Sequence, residues 1–159
     1  GESRRAEHLA RNPQGQVPVV QLNDGRYLAQ SNAIIRYLAR GSSLLPEDAY
    51  QQAKVDEWLF WEQYSHEPYV AVCRAQMRYQ NRAKQDRDAW RVERAEFALD
   101  LMDSELSTRD WLVGRTATIA DIALLAYTRL APQGGFDLST RTHLTKWVAR
   151  SEQRFAIGR

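Results

Sequence analysis

The side chains able to do chemistry are few and scattered. The chain holds three histidines (His8, His66 and His143) and a single cysteine, Cys73. The histidines are too far apart in sequence for metal-ligand spacing, so no metal site is expected. Cys73 sits in a helical pattern without a thiolate-stabilising neighbour and reads as a small buried hydrophobe. Ser31 stands where a helix begins. Free backbone N–H groups and the helix dipole there favour a carboxylate ligand, and the same position also reads as a plain N-cap. Val17-Pro18 heads a β-branched run. X–Pro bonds tolerate the cis form, yet on the residues alone Pro18 reads as a trans proline opening an edge strand. Tyr64, His66 and Tyr69 crowd one helical stretch and read as a partly buried aromatic face. Thr118-x-x-Asp121 before an apolar run is a capping-box variant with a folding role. Phosphate loops and dinucleotide fingerprints are missing from the sequence.

These residues need elements to hold them. A short helix is expected over residues 3–11, with Ser3 as cap, and Asn12-Pro13-Gln14-Gly15 breaks it. Val17 to Leu22 reads as a strand. Asn23-Asp24-Gly25 is a hairpin turn, because these residues tolerate positive φ, and Tyr27 to Ala29 is the return strand. Ser31 opens a helix that Gly41 closes. Residues 42–48 read as a linker. Beyond it all signals are helical: one long helix from Asp48 to Lys84, bent near Pro68, then helices over Asp86 to Leu106, Ile119 to about Leu130, and Thr142 to Arg154. The expected division is therefore 1–41, a linker at 42–48, and 49–159.

Charge excludes some classes. Lys and Arg total 22 against 20 acids, a net charge of +2, and no basic block tracks a phosphate backbone. Nucleic acid is not an expected partner. No apolar run is long enough to span a bilayer, so no membrane partner is expected, and Gly1-Glu2-Ser3-Arg4-Arg5 does not read as a secretion signal. One cysteine permits no internal disulfide, which fits a reducing, cytoplasmic setting.

Several segments in order resemble the glutathione transferase family, bacterial members included. Asn12-Pro13-Gln14-Gly15-Gln16-Val17-Pro18-Val19-Val20 is similar to the family's approach to its third strand. Asp24-Gly25-Arg26-Tyr27-Leu28-Ala29-Gln30-Ser31-Asn32-Ala33-Ile34 is similar to its fourth strand and third helix. Glu62-Gln63-Tyr64-Ser65-His66-Glu67-Pro68-Tyr69 resembles a bacterial stretch. Leu112-Val113-Gly114 followed by Thr118-Ile119-Ala120-Asp121-Ile122 matches the bundle signature.

The resemblance implies a mostly α protein: a partial thioredoxin-like α/β N-terminal domain of helix, β-hairpin and helix, followed by an all-α C-terminal bundle. It implies a cis Val17-Pro18 bond, with the Val17 backbone pairing to the cysteinyl unit of glutathione. It implies that Ser31 holds the γ-glutamyl carboxylate. Gln30 stands where a glutamate is often found, and would accept from the ligand's ammonium without a charge pair. Tyr64, His66 and Tyr69 fall where the family lines its acceptor pocket.

The implied activity is conjugation of glutathione, as co-substrate, to small hydrophobic electrophiles in a homodimer, a detoxification role. The alternative is a non-catalytic binding or scaffold member. On this resemblance the chain is expected to lack the family's first strand, helix and second strand, and the thiol-activating residue is unknown. An open strand edge is then expected to leave residues 1–30 disordered or to drive an unusual dimer.

Overall fold

The computed structural model describes residues 1–157. The last two residues of the expected 49–159 domain lie outside the described residues. The structure comprises two compact units, Gly1–Leu45 and a second beginning at Pro46.

In the first unit a short 3-10 turn, Glu2–Arg4, leads into α1, Ala6–Arg11. Ser3 does not cap this helix. Arg5 holds the capping position with extended backbone and makes no side-chain cap bond. β1, Val19–Gln21, and β2, Tyr27–Ala29, form an antiparallel two-stranded sheet with Val19 opposite Ala29. The hairpin closes as its residue types require. Asp24 accepts the Arg26 N–H at 3.1 Å and grips the Arg26 guanidinium at 2.6 Å. α2, Ser31–Leu38, follows β2 after one residue and buries Ile34. β1 is shorter than the expected Val17–Leu22, because Val17 and Pro18 belong to the preceding loop. Residues 1–30 carry a network of turns and bonds.

Among its described residues the second unit has helices and the loops that join them, and no strand. α3, Ala49–Trp61, is capped by the Asp48 carboxylate, which accepts from the Gln51 N–H at 2.9 Å. The long helix read from the sequence is interrupted. Glu62–His66 forms a π-helical turn, closed by the Glu67 N–H on the Glu62 carbonyl, and α4 runs over Glu67–Tyr79. Pro68 explains the break. It has no N–H for the Tyr64 carbonyl and its ring crowds that turn, so the wider turn forms just before it and Pro68 falls at the start of a fresh helix.

α5 spans Ala89–Glu105, α6 Ile119–Thr128 and α7 Thr142–Arg154. A 3-10 turn at Ala131–Gly134 links the last two. α6 is apolar on almost every side, with Ile119, Ala120, Ala123, Leu124 and Leu125 all buried. Such a helix belongs at a core centre. Val55, Leu99, Met102, Leu112, Phe136, Leu144 and Trp147 are among the other buried residues around it.

Candidate functional site

The first candidate lies within the first unit, on the loop between α1 and β1. Asn12 is buried and organises it. Its Nδ2 donates to the Gln16 carbonyl at 2.8 Å, and its Oδ1 accepts the Gln14 N–H at 3.3 Å. His8 donates from Nε2 to the same Gln16 carbonyl at 3.0 Å. Gly15 adopts φ +62°, and a Cβ there would lie 2.8 Å from Arg4 Nη1 and 3.1 Å from the Ser3 carbonyl oxygen. Only glycine suits both constraints. The loop thus presents Val17, 73% exposed, ahead of a cis Val17–Pro18 bond. The Val17 backbone N–H has no acceptor among the described residues.

Gln30 joins β2 to α2 in an unusual conformation. Its φ is 71° and its ψ 116°, a region L-residues rarely visit. Its carbonyl accepts the Ile34 N–H at 2.9 Å and starts the helix. Its side-chain Nε2 donates to Gln14 Oε1 at 2.9 Å and ties the loop to the helix start. Ser31 is exposed at the first turn of α2. Val17, Pro18, Gln30 and Ser31 therefore share one small unit braced by Asn12, His8 and Gln14. The sequence reading missed these three bracing residues. Asn12 carried a usable signal, since a side chain of that type before Pro-x-Gly commonly closes a turn on its own backbone.

The three aromatic candidates of the second unit do not share one surface. Tyr64 is 81% exposed, whereas His66 is 0% exposed. The His66 Nε2 lies 3.0 Å from Thr128 Oγ1 of α6, its ring lies 6.0 Å from that of Trp61, and its Nδ1 has no partner among the described residues. Burial lowers its pKa from 6.5 to about 3, so the ring is neutral. His66 is thus part of the core, correcting its expected place in an open pocket: packing against Thr128 and Trp61 holds the ring inward. Tyr69 is half-buried and meets Trp90 of α5 edge-on at 6.1 Å. Cys73 is buried, and burial pushes its thiol pKa up, as an inert hydrophobe requires.

The second unit also carries a cleft of about 620 Å³ between α3, the end of α5 and the following loop. Trp58, Trp61, Leu101 and Leu112 line its apolar part. Its rim cations are matched: Lys54 pairs with Glu57, and Arg109 with Glu105 at 3.0 Å. No group of three or more His, Cys, Asp or Glu residues that could hold a metal occurs among the described residues. Among the same residues no helix is long and apolar enough to cross a membrane.

The glutathione S-transferase C-terminal domain pattern matches residues 60–154, and the N-terminal domain pattern matches residues 1–40. The chain belongs to the glutathione S-transferase family. A solved glutathione S-transferase from Xanthobacter autotrophicus Py2 is 44% identical with a TM-score of 0.89, covering 94% of this chain and 74% of that one. Glutathione S-transferase F10 of Arabidopsis thaliana is 30% identical over 98% of this chain and 78% of its own length. The glutathione S-transferase-like protein LUC7 of a Fusarium species is 32% identical over 76% of this chain, and the match spans 57% of that relative. The architecture is accordingly a thioredoxin-like N-terminal part with an all-α C-terminal part.

Within this transferase fold the capping box is a hub. Asp121 Oδ2 accepts the Thr118 N–H at 2.8 Å, while Oδ1 accepts the Leu112 N–H at 3.1 Å and the Trp147 Nε1–H at 2.8 Å. Burial raises the Asp121 pKa, and the bonds from Thr118, Trp147 and Leu112 oppose that shift.

Proposed function

We propose that this chain grips glutathione through its first unit and that the intact protein transfers the glutathione sulfur to small hydrophobic electrophiles. The observation that carries the reading is Gln30. A residue with a Cβ held at φ 71° costs on the order of 1–3 kcal/mol, and such conformations cluster where ligands are gripped. The strained residue lies directly before Ser31, the residue expected to hold a carboxylate.

Each part of the ligand has a matching group. The Ser31 hydroxyl and the N–H groups opening α2 would hold the γ-glutamyl carboxylate. The Gln30 Nε2 is engaged by Gln14, which leaves its Oε1 to accept from the ligand's ammonium. The exposed Val17 backbone would pair with the cysteinyl unit as an added strand. Transfer requires the thiolate, so an activating group must lower the thiol pKa. No residue described above is assigned that role. For the acceptor we assign contact to Tyr64 and Tyr69, whose rings remain accessible, and none to His66. A second copy of the chain as partner and a reducing compartment belong to the same reading.

Calorimetric titration of glutathione into the chain tests binding. A saturable heat that Ser31→Ala weakens about tenfold is expected. No heat at millimolar glutathione would sink the reading. Turnover of a chloronitrobenzene acceptor tests transfer separately. Binding without turnover favours the non-catalytic alternative.

A further inference from the structure

A second, smaller cleft of about 310 Å³ lies in the helical unit, between the residues following α5 and one face of α7. Leu106, Ser107, Thr108, Arg109, Asp110, His143, Lys146 and Arg150 line it. His143, Lys146 and Arg150 recur at the three- and four-residue spacing that puts side chains on one helical face. Arg109 stands on the opposing loop. The lining thus carries three permanent cations, Arg109, Lys146 and Arg150, and a histidine against a single carboxylate, Asp110.

The pairing of these charges separates this cleft from the larger one. Arg150 is taken by Asp110, at 2.9 Å from its carboxylate and 2.7 Å from its carbonyl. Arg109 pairs with Glu105 at 3.0 Å. Lys146 and His143 have no carboxylate partner among the described residues. The backbone N–H groups of Thr108, Arg109 and Asp110 also lack an acceptor there. The Ser107 hydroxyl donates to the Ser104 carbonyl at 2.6 Å, which leaves the Thr108 hydroxyl. A hydroxyl and successive free N–H groups beside an unpaired ammonium suit an oxyanion with several acceptor oxygens.

We infer that this cleft binds a small phosphomonoester, its phosphate held by the unpaired Lys146 ammonium with the Thr108 hydroxyl and the N–H groups of its loop. The volume lies at the lower end of the range of small-molecule sites, enough for a phosphate and a compact substituent. The site is independent of the glutathione reading: every residue in it belongs to the helical unit. A phosphate dianion gains more from the unpaired Lys146 ammonium than a monocarboxylate, which carries half its charge. Because the contacts are exposed to solvent, salt weakens them.

Phenyl phosphate is the probe, with benzoate as the monoanionic control and phosphatidic-acid vesicles as the lipid-borne phosphate. Titration followed by amide NMR shifts is expected to give saturable phenyl phosphate binding with shifts at Thr108, Arg109 and Lys146. Affinity should fall about tenfold or more in Lys146→Glu, with benzoate weaker throughout. Lys146 is exposed, so this variant retains its fold, and a melting curve checks that directly. Equal binding to Lys146→Glu, no binding at 10 mM phenyl phosphate (a ceiling of roughly 3 kcal/mol of affinity), or binding to the vesicles alone would each overturn the assignment.

Discussion

The indole of Trp147 donates to Asp121 Oδ1 at 2.8 Å across 26 positions of sequence, and both residues are wholly buried. The bond connects the first turn of α6 to the middle of α7. The same carboxylate holds the Thr118 and Leu112 N–H groups. With the Thr118 hydroxyl, which donates to Oδ2 at 3.2 Å, one side chain thus satisfies four donors that water cannot reach.

Asp121→Ala strands those donors. Each buried unpaired group costs about 1–3 kcal/mol, so a loss of about 3–5 kcal/mol in urea unfolding is expected. Trp147→Phe removes one donor and should cost less. Glutathione affinity, measured on the folded fraction, should change far less than the unfolding midpoint. Equal losses in both would assign Asp121 a direct ligand role instead.

His66 makes stability acid-sensitive. Its folded pKa is near 3 against 6.5, because burial disfavours the imidazolium. Below 6.5 the unfolded chain takes up a proton that the folded chain refuses. Stability from this group is therefore complete above pH 6.5 and falls as pH drops toward 3, by at most about 1.4 kcal/mol per pH unit. Asp121 works in the opposite sense: its raised folded pKa means acidification above 3.8 favours the folded state. Unfolding free energies of wild type and His66→Gln from pH 7 to 4 separate the two. On acidification below 6.5 the His66→Gln variant should lose less stability than wild type, the gap between the two curves changing by at most about 1.4 kcal/mol per pH unit. Parallel curves would refute the assignment.

Gln30 offers a backbone test. Gln30→Gly relaxes the φ 71° strain but loses the bond to Gln14 and frees the unfolded chain. Its stability should stay within about 1 kcal/mol of wild type, since these effects oppose one another. Gln30→Ala keeps the strain and loses the bond, so it should be the less stable of the two. Both should weaken glutathione binding. A Gln30→Ala variant that binds glutathione as wild type does would remove Gln30 from the proposed site.

Much of this fold is legible because its signals are local. α7 begins and ends where the Thr142–Arg154 periodicity says, and the Tyr27–Ala29 return strand follows from a turn whose Asp24 bonds Arg26 two residues on. Thr118-x-x-Asp121 announces a cap for the same reason. What the spacing could not carry is the second use of Asp121, since Trp147 reaches it only through packing. The π turn was also hidden. Pro68 signals a disturbance, but whether a helix answers by bending or widening depends on what its neighbours accept, here His66 against Thr128. At the candidate site, Val17-Pro18 and Gln30-Ser31 were found by resemblance. The positive φ of Gln30 had no signal at all, because no glycine or asparagine marks it.

Gly134 tests the packing of the 3-10 turn on α4. A Cβ there would lie 3.0 Å from the Arg74 backbone nitrogen and 3.3 Å from its Cα. Backbone cannot swing aside as a side-chain end can, so either α4 or the turn must move. The Gly134 carbonyl also accepts from Arg87 Nη1 at 2.8 Å, a bond that a shifted turn would stretch. Gly134→Ala should therefore destabilise the chain by about 1–3 kcal/mol, although alanine adds a single methyl group and ordinarily favours ordered backbone. Gly25→Ala is the contrast: its Cβ meets nothing within 4 Å, and its cost comes from φ +87° alone. Combining Gly134→Ala with Arg87→Ala separates clash from bond. If the lost bond accounts for the effect, the double variant should be no worse than Arg87→Ala. If the clash does, the two losses should add, and additivity is the expected result.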